Sequence, residues 1–196
     1  DIALICVGTP SAGDGKVNLD YTINTTLDLV DYLKQNDREF TIVYRSTIPP
    51  GTIEDNVLSH FQNWDGKHKP KVAFLPEFLR EGTAVKDFFH CSRIVVGSEG
   101  EEPKELKQLL SFDENIPLVF TDYKTAKFVK YVDNAFHAMK IAFVNEIYSL
   151  GSSFGTDVQK ANDTFLMDTH LNVSKNYLRP GLPFGGSCLP KDLRAI

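Results

Sequence analysis

The segment Phe184-Gly185-Gly186-Ser187-Cys188-Leu189-Pro190-Lys191-Asp192 holds the residue types best suited to covalent chemistry in this 196-residue chain. Its two glycines let backbone approach a ligand closely. Pro190 is tolerated only in the first turn of a helix, so Cys188 is predicted just where a helix begins. A helix N-terminus and the adjacent Lys191 both favour a thiolate. Asp192 adds a carboxylate that can position water or accept a proton. The same residues also suit a buried cysteine beside a tight turn, and short motifs of this kind recur without function.

A second constellation lies between 128 and 150. Phe128, Val132, Phe136, Met139, Phe143, Ile147 and Leu150 follow helical spacing along one face. Lys130, Asn134, His137, Ile141 and Asn145 follow it along another, about 200° away. The apolar stripe reads as core or dimer packing. A solvated polar face normally carries Glu and Lys pairs. This one has amides, a histidine and one lysine, which suit the wall of a ligand site.

Other chemistries are poorly supported. The three cysteines, Cys6, Cys91 and Cys188, are odd in number and widely spaced, so they form no disulfide framework. No CxxC pair exists and no metal site is expected. Cys6 sits in an apolar run and is expected to be inert core. The charge of −5 argues against a nucleic-acid partner. No apolar run reaches membrane-spanning length and no signal peptide opens the chain, so a cytoplasmic protein without a membrane partner is expected.

The elements that must position these residues follow from hydrophobic patterning. Ile2 to Val7 is a continuous apolar run ending in Gly8-Thr9-Pro10, predicted as a buried strand. A helix is predicted from Asp20 to about Gln35 and a strand from Phe40 to Tyr44. Thr47-Ile48-Pro49-Pro50-Gly51-Thr52 turns into a helix near Ile53. Strands are predicted at Lys71–Leu75, Arg93–Val96 and Pro117–Phe120, with a helix at Pro103–Leu110. The alternation signals a parallel, doubly wound α/β sheet. From about Asp122 to Phe154 there is neither strand signal nor proline. Thr121 or Asp122 can cap a helix there that spans roughly 45 Å. Another helix is predicted from Asp157 to about Met167. The expected division is an α/β domain over 1–120 and a helical domain over 121–196 that carries the cysteine loop.

Five segments in order resemble the UDP-glucose/GDP-mannose dehydrogenase family. They are Val7-Gly8-Thr9-Pro10, Arg45 to Thr52, Pro76-Glu77-Phe78-Leu79-Arg80-Glu81-Gly82-Thr83-Ala84, Lys130 to Asn134 continuing to Asn145-Glu146, and Gly185 to Asp192. The resemblance covers essentially the whole chain and implies a central piece of such an enzyme. The first 120 residues would be the later half of a Rossmann-like NAD-binding domain, without the GxGxxG turn that holds the dinucleotide pyrophosphate. The remainder would be the helical, dimer-forming core.

The resemblance implies an NAD-dependent four-electron oxidation of a sugar C6 alcohol to a carboxylate. Cys188 would trap the aldehyde as a thiohemiacetal and pass through a thioester. Lys130 and Asn134 would stabilise the oxyanion. Asp192 and either Glu77 or Glu81 would handle protons and water, with Thr47 close by. Thr9, Thr47, Glu81 and Lys191 match positions that approach NAD. The implied substrate-binding residues are Glu77, Phe78, Leu79, Lys130, Asn134, His137, Asn145, Asn176, Tyr177, Arg179 and Gly185. His137 and the segment from His170 to Gly181 look more like the GDP-mannose branch than the UDP-glucose branch, although Asn176 stands where that branch commonly has an aromatic residue. The expected substrate is GDP-mannose, with UDP-glucose the alternative. A non-catalytic dimerising, nucleotide-sugar-binding module is the alternative for the piece alone.

Overall fold

The computed structural model describes residues 1–11, 16–100, 102–170, 178–186 and 188–194, with backbone only at 191, 192 and 194. The chain divides into two compact units, Asp1–Tyr131 and Val132–Arg194.

The first unit is built on a five-stranded sheet in the order β1-β2-β3-β4-β5. The strands are β1 Ile2–Ile5, β2 Thr41–Tyr44, β3 Lys71–Phe74, β4 Ile94–Ser98 and β5 Leu118–Thr121. β1, β2 and β3 are mutually parallel, as are β4 and β5. β3 and β4 run antiparallel, with Phe74 opposite Gly97, so the sheet is mixed where a wholly parallel one was expected. The physical reason lies in the connection. Between β3 and β4 the helical element is α2, only Ala84–Phe89, and an antiparallel pair needs no crossover helix packed on the sheet.

Alternate residues of the central strands enter opposite cores, as the two-residue period of a strand requires. Ile42, Tyr44, Val72, Phe74 and Val95 pack with Val30 and Leu33 of helix α1, Asp20–Gln35. Val43, Ala73, Ile94 and Val96 pack with Leu106 and Leu110 of helix α3, Lys104–Leu110. Each large aliphatic side chain buried this fully contributes roughly 1.5–3 kcal/mol. β1 is an edge strand, and its apolar run is not buried throughout: Leu4 is 47% exposed and Cys6 is exposed, not core. The run reads as doubly covered, but an edge strand is covered less than a central one. The segment after Thr52 is helical but irregular, with π geometry over Ile53–Val57 and a 3-10 turn over Leu58–Phe61.

Helix α4 spans 31 residues, Tyr123–Ser153, and crosses the division between the units. Asp122 caps it: its carboxylate accepts the Thr125 amide at 2.8 Å and the Thr125 hydroxyl at 2.6 Å. Within the first unit its opening turn is held to the sheet. The Tyr123 hydroxyl donates to the Val72 carbonyl at 2.9 Å. Gly97 leaves space for Ala126, since a Cβ at Gly97 would stand 2.9 Å from the Ala126 Cβ.

In the second unit α4 is followed by α5, Val158–Phe165, capped by Asp157, whose side chain accepts the Lys160 amide at 3.0 Å. A Cβ on Gly151 would collide with the Val158 side chain, so the missing side chain lets α5 begin against the last turn of α4. Helix α6, Leu189–Arg194, starts directly after Cys188. The apolar stripe of α4 faces outward: Phe128, Met139 and Leu150 are each more than half exposed, with Phe143 and Ile147 both at 49%. No helix among the described residues is long and apolar enough to cross a membrane.

Candidate active site

The C-terminal ends of the parallel strands β1 and β2 are tied together by hydroxyls. Thr9 Oγ1 donates to the Thr47 carbonyl at 2.9 Å, and Ser46 Oγ donates to the Val7 carbonyl at 2.6 Å. Thr9 and Ser46 are buried and Thr47 is half-buried. These ends edge a cleft of about 550 Å³ whose lining includes Cys6, Arg45, Thr47, Glu77, Leu79 and Phe88. Ligands of open α/β sheets bind outside the C-terminal ends of strands. Apolar walls with a few polar groups are the usual make-up of a small-molecule site.

The segment after β3 brings the charged groups to this edge. Glu77 Oε2 accepts the Leu79 amide at 2.8 Å, closing a tight turn. Its other oxygen lies 3.0 Å from Lys130 Nζ. The Lys130 side chain is only 8% exposed, and its ammonium stands 5.7 Å from the centre of the Phe78 ring. The Arg93 guanidinium stands 4.6 Å from the same ring. Glu81, four residues on, is exposed. Sequence left Glu77 and Glu81 as equal candidates; the structure brings Glu77 to Lys130.

The loop between Glu77 and Ala84 is clamped by Asp87. The Asp87 carboxylate accepts from the Arg80 amide at 3.0 Å, Arg80 Nε at 2.9 Å, Arg80 Nη2 at 2.6 Å and Thr83 Oγ1 at 2.9 Å. The fork of Arg80 hydrogen bonds holds the Asp87 carboxyl well below the usual carboxylate range.

The second unit holds the other candidates. Asn134, one turn beyond Lys130 along α4, is 8% exposed, and His137 and Asn145 are half-buried. Asn145 Oδ1 accepts the Gly181 amide at 2.9 Å, and Asn162 Nδ2 donates to the Leu178 carbonyl at 3.3 Å, fastening the segment that carries Arg179. Arg179, Gly185 and Cys188 are exposed. Asn176 and Tyr177 lie outside the described residues, as do the side chains of Lys191 and Asp192.

Two groups escaped the sequence reading. Asp87 gave no signal, because a six-residue helix shows no clear period. Lys127 did give one, since it falls at helical spacing on the buried side of α4. It has no exposed surface, and its Nζ lies 3.4 Å from Glu54 Oε2.

Comparison with known proteins identifies the family and the fold. Residues 1–111 match the NAD binding domain model of the UDP-glucose/GDP-mannose dehydrogenase family, and residues 124–196 match that family's central domain. GDP-mannose 6-dehydrogenase of Pseudomonas putida is 38% identical over 199 residues, covering 100% of this chain and 45% of its own. The structure of a UDP-glucose dehydrogenase from the hyperthermophilic archaeon Pyrobaculum islandicum superposes with a TM-score of 0.88 at 36% identity, over 100% of this chain and 45% of that one. GDP-mannose dehydrogenase from Pseudomonas aeruginosa, solved as a ternary complex, gives 0.80 at 35% identity with the same coverage. The chain thus spans less than half the length of these relatives.

Proposed function

Because the chain belongs to the UDP-glucose/GDP-mannose dehydrogenase family, an NAD-dependent family, we propose that the protein carrying it oxidises the C6 alcohol of a nucleotide sugar to a carboxylate, with GDP-mannose the substrate and GDP-mannuronate the product. The observation that carries this reading is the buried ammonium of Lys130, held by Glu77 beside a cleft at the strand ends.

Bound NAD would supply the hydride acceptor for each of the two oxidations. Thr9, Thr47, Glu81 and Lys191 are the residues that would hold it, and the hydroxyl-tied strand ends and the apolar-walled cleft beside them fit part of such a ligand. Lys130 and Asn134 donate to the substrate oxygen as it gains negative charge, where fixed donors act most strongly in the transition state. Cys188 Sγ adds to the aldehyde carbon to give a thiohemiacetal, whose oxidised form is a thioester. Water then displaces the thiol and releases the acid. Glu77 and Asp192 receive the protons, and Thr47 lines the same cleft as Glu77. The Lys130 contact supports Glu77 over Glu81 in this role. His137, Asn145, Asn176, Tyr177 and Arg179 form the nucleotide-sugar side. Arginine suits paired diphosphate oxygens.

A second reading, UDP-glucose as substrate, is supported by the TM-score of 0.88 with the Pyrobaculum protein. In either case the outward apolar stripe of α4 supports assembly through this helix. The 196 residues alone would then be a dimerising, nucleotide-sugar-binding module.

The test is an assay of the intact protein with GDP-mannose and with UDP-glucose. Two NADH per sugar are expected with GDP-mannose, and no acid with Cys188→Ser. Preference for UDP-glucose would replace the first reading with the second. Full activity of Cys188→Ser would overturn the cysteine mechanism.

A further inference from the structure

Lys127 is a charged side chain of the first unit that is fully buried. Its side chain has no exposed surface. One carboxylate oxygen of Glu54, at 3.4 Å, and the face of the Phe74 ring, 5.5 Å away, offset the lost hydration. Burial pushes the amine down to about 8, Lys124 adds to that, and Glu54 and Asp55 oppose it. A methionine would fill the same volume without burying a charge. Where buried charges are kept at a cost to stability, their best-attested use is to set registry.

What they would register is visible on both sides. On one side, Glu54 belongs to the helical turn continuous with the segment that carries Thr47. Thr52 Oγ1 donates to the Pro49 carbonyl at 2.7 Å, and the Asp55 amide to the Gly51 carbonyl at 2.8 Å, so this turn moves with its preceding loop. On the other side, Lys127 stands one turn before Lys130. Tyr123 and Ala126 fix where α4 meets the sheet. The ion pair ties this turn of α4 to the Glu54 turn at 3.4 Å.

We propose that Lys127 and Glu54 are a positioning pair that sets the rotation of α4, and through it the place where Lys130 meets Glu77. The consequence for turnover rests on the role proposed for Lys130; the geometric consequence does not.

The experiment compares the intact protein with Lys127→Met, Glu54→Gln and the exchanged double variant Lys127→Glu/Glu54→Lys. Steady-state kinetics are read beside lysine NH3⁺ correlation spectra that follow Lys130. Each single variant should lower kcat roughly ten- to hundredfold with KM little changed, as expected of a small misplacement of a reacting group. Each should also move the Lys130 signal, and the exchanged pair should restore both. Glu54→Gln keeps the lysine and tests the pair without changing the side-chain volume at position 127. Folded single variants with unchanged kcat and an unchanged Lys130 signal overturn the proposal. So does an exchanged pair that restores neither, because the effect is then packing and not pairing. If the wild-type protein oxidises no nucleotide sugar, the functional reading fails. The Lys130 signal then decides the pair by itself: a shift upholds it and an unmoved signal overturns it.

Discussion

One oxygen of Glu77 faces Lys130 Nζ at 3.0 Å while the other accepts the Leu79 amide at 2.8 Å. A single carboxylate therefore orients both the lysine of α4 and the loop on which it sits. Lys130→Ala in the intact protein should lower turnover about a hundred- to thousandfold or more, the usual cost of losing one oxyanion donor. The Michaelis constant should change far less, since the contact matters most in the transition state. Asn134→Ala should be milder, because it removes no charge. Steady-state kinetics on both variants check this. Near-normal turnover with weakened binding in Lys130→Ala would make the polar stripe a binding wall only.

The buried lysine predicts an unusual dependence of stability on pH. The folded value of Lys127, about 8, lies below its ordinary 10.5. Between those values the unfolded chain binds more protons, so this group makes stability rise with pH across that window. Tyr44, pushed up to about 12 by burial, acts oppositely. Above pH 10 the native state keeps a proton that the unfolded chain gives up, and stability falls. Urea midpoints from pH 7 to 11 should pass through a maximum near pH 9–10. Lys127→Met should raise the midpoint at pH 7 and flatten the rising limb. An unchanged slope in that variant would place the titration elsewhere.

The close approach of α4 to β4 predicts a cost at Gly97. An added Cβ would stand 3.0 Å from the Tyr123 Cα and 3.2 Å from the Asp122 carbonyl, both backbone atoms that cannot swing aside. Gly97→Ala should destabilise the first unit by about 1–3 kcal/mol, the range for overpacking. Thermal unfolding checks this, and an unchanged midpoint would mean that the helix tolerates displacement.

Much of this architecture was legible in the residues, for identifiable reasons. Phe40–Tyr44 reads as a buried strand because it is apolar and β-branched, and Ile42, Val43 and Tyr44 are fully buried. The cap at Asp122 is legible because a carboxylate precedes a long run without proline. The direction of β4 is not, since Arg93–Val96 reads the same whichever way the strand runs. Cys6 is exposed although it lies in an apolar run, because among the described residues of this chain β1 pairs on one side only, with β2. The pairing of Glu77 with Lys130 joins residues far apart in sequence, and no local pattern shows it. The family resemblance named both without saying that they touch.

The outward stripe of α4 predicts self-association. Met139, Phe143 and Ile147 are each about half exposed or more and lie at helical spacing on one side. So much contiguous apolar surface is unusual on a lone molecule. Light scattering should report a dimer, and Phe143→Glu should shift it to monomer. A monomer at micromolar concentration with the native sequence would contradict this.

The reversal between β3 and β4 decides where α4 travels. Had β4 and β5 run parallel to β3, a helix following β5 would leave from the edge where β1, β2 and β3 finish, and head away from it. Because the last two strands descend, α4 departs from the far side and climbs beside β3. It passes Val72 at Tyr123, Phe74 at Lys127 and Glu77 at Lys130. Two strands of inverted direction thus turn an ordinary crossover into a ramp that delivers an ammonium to the working edge of the sheet.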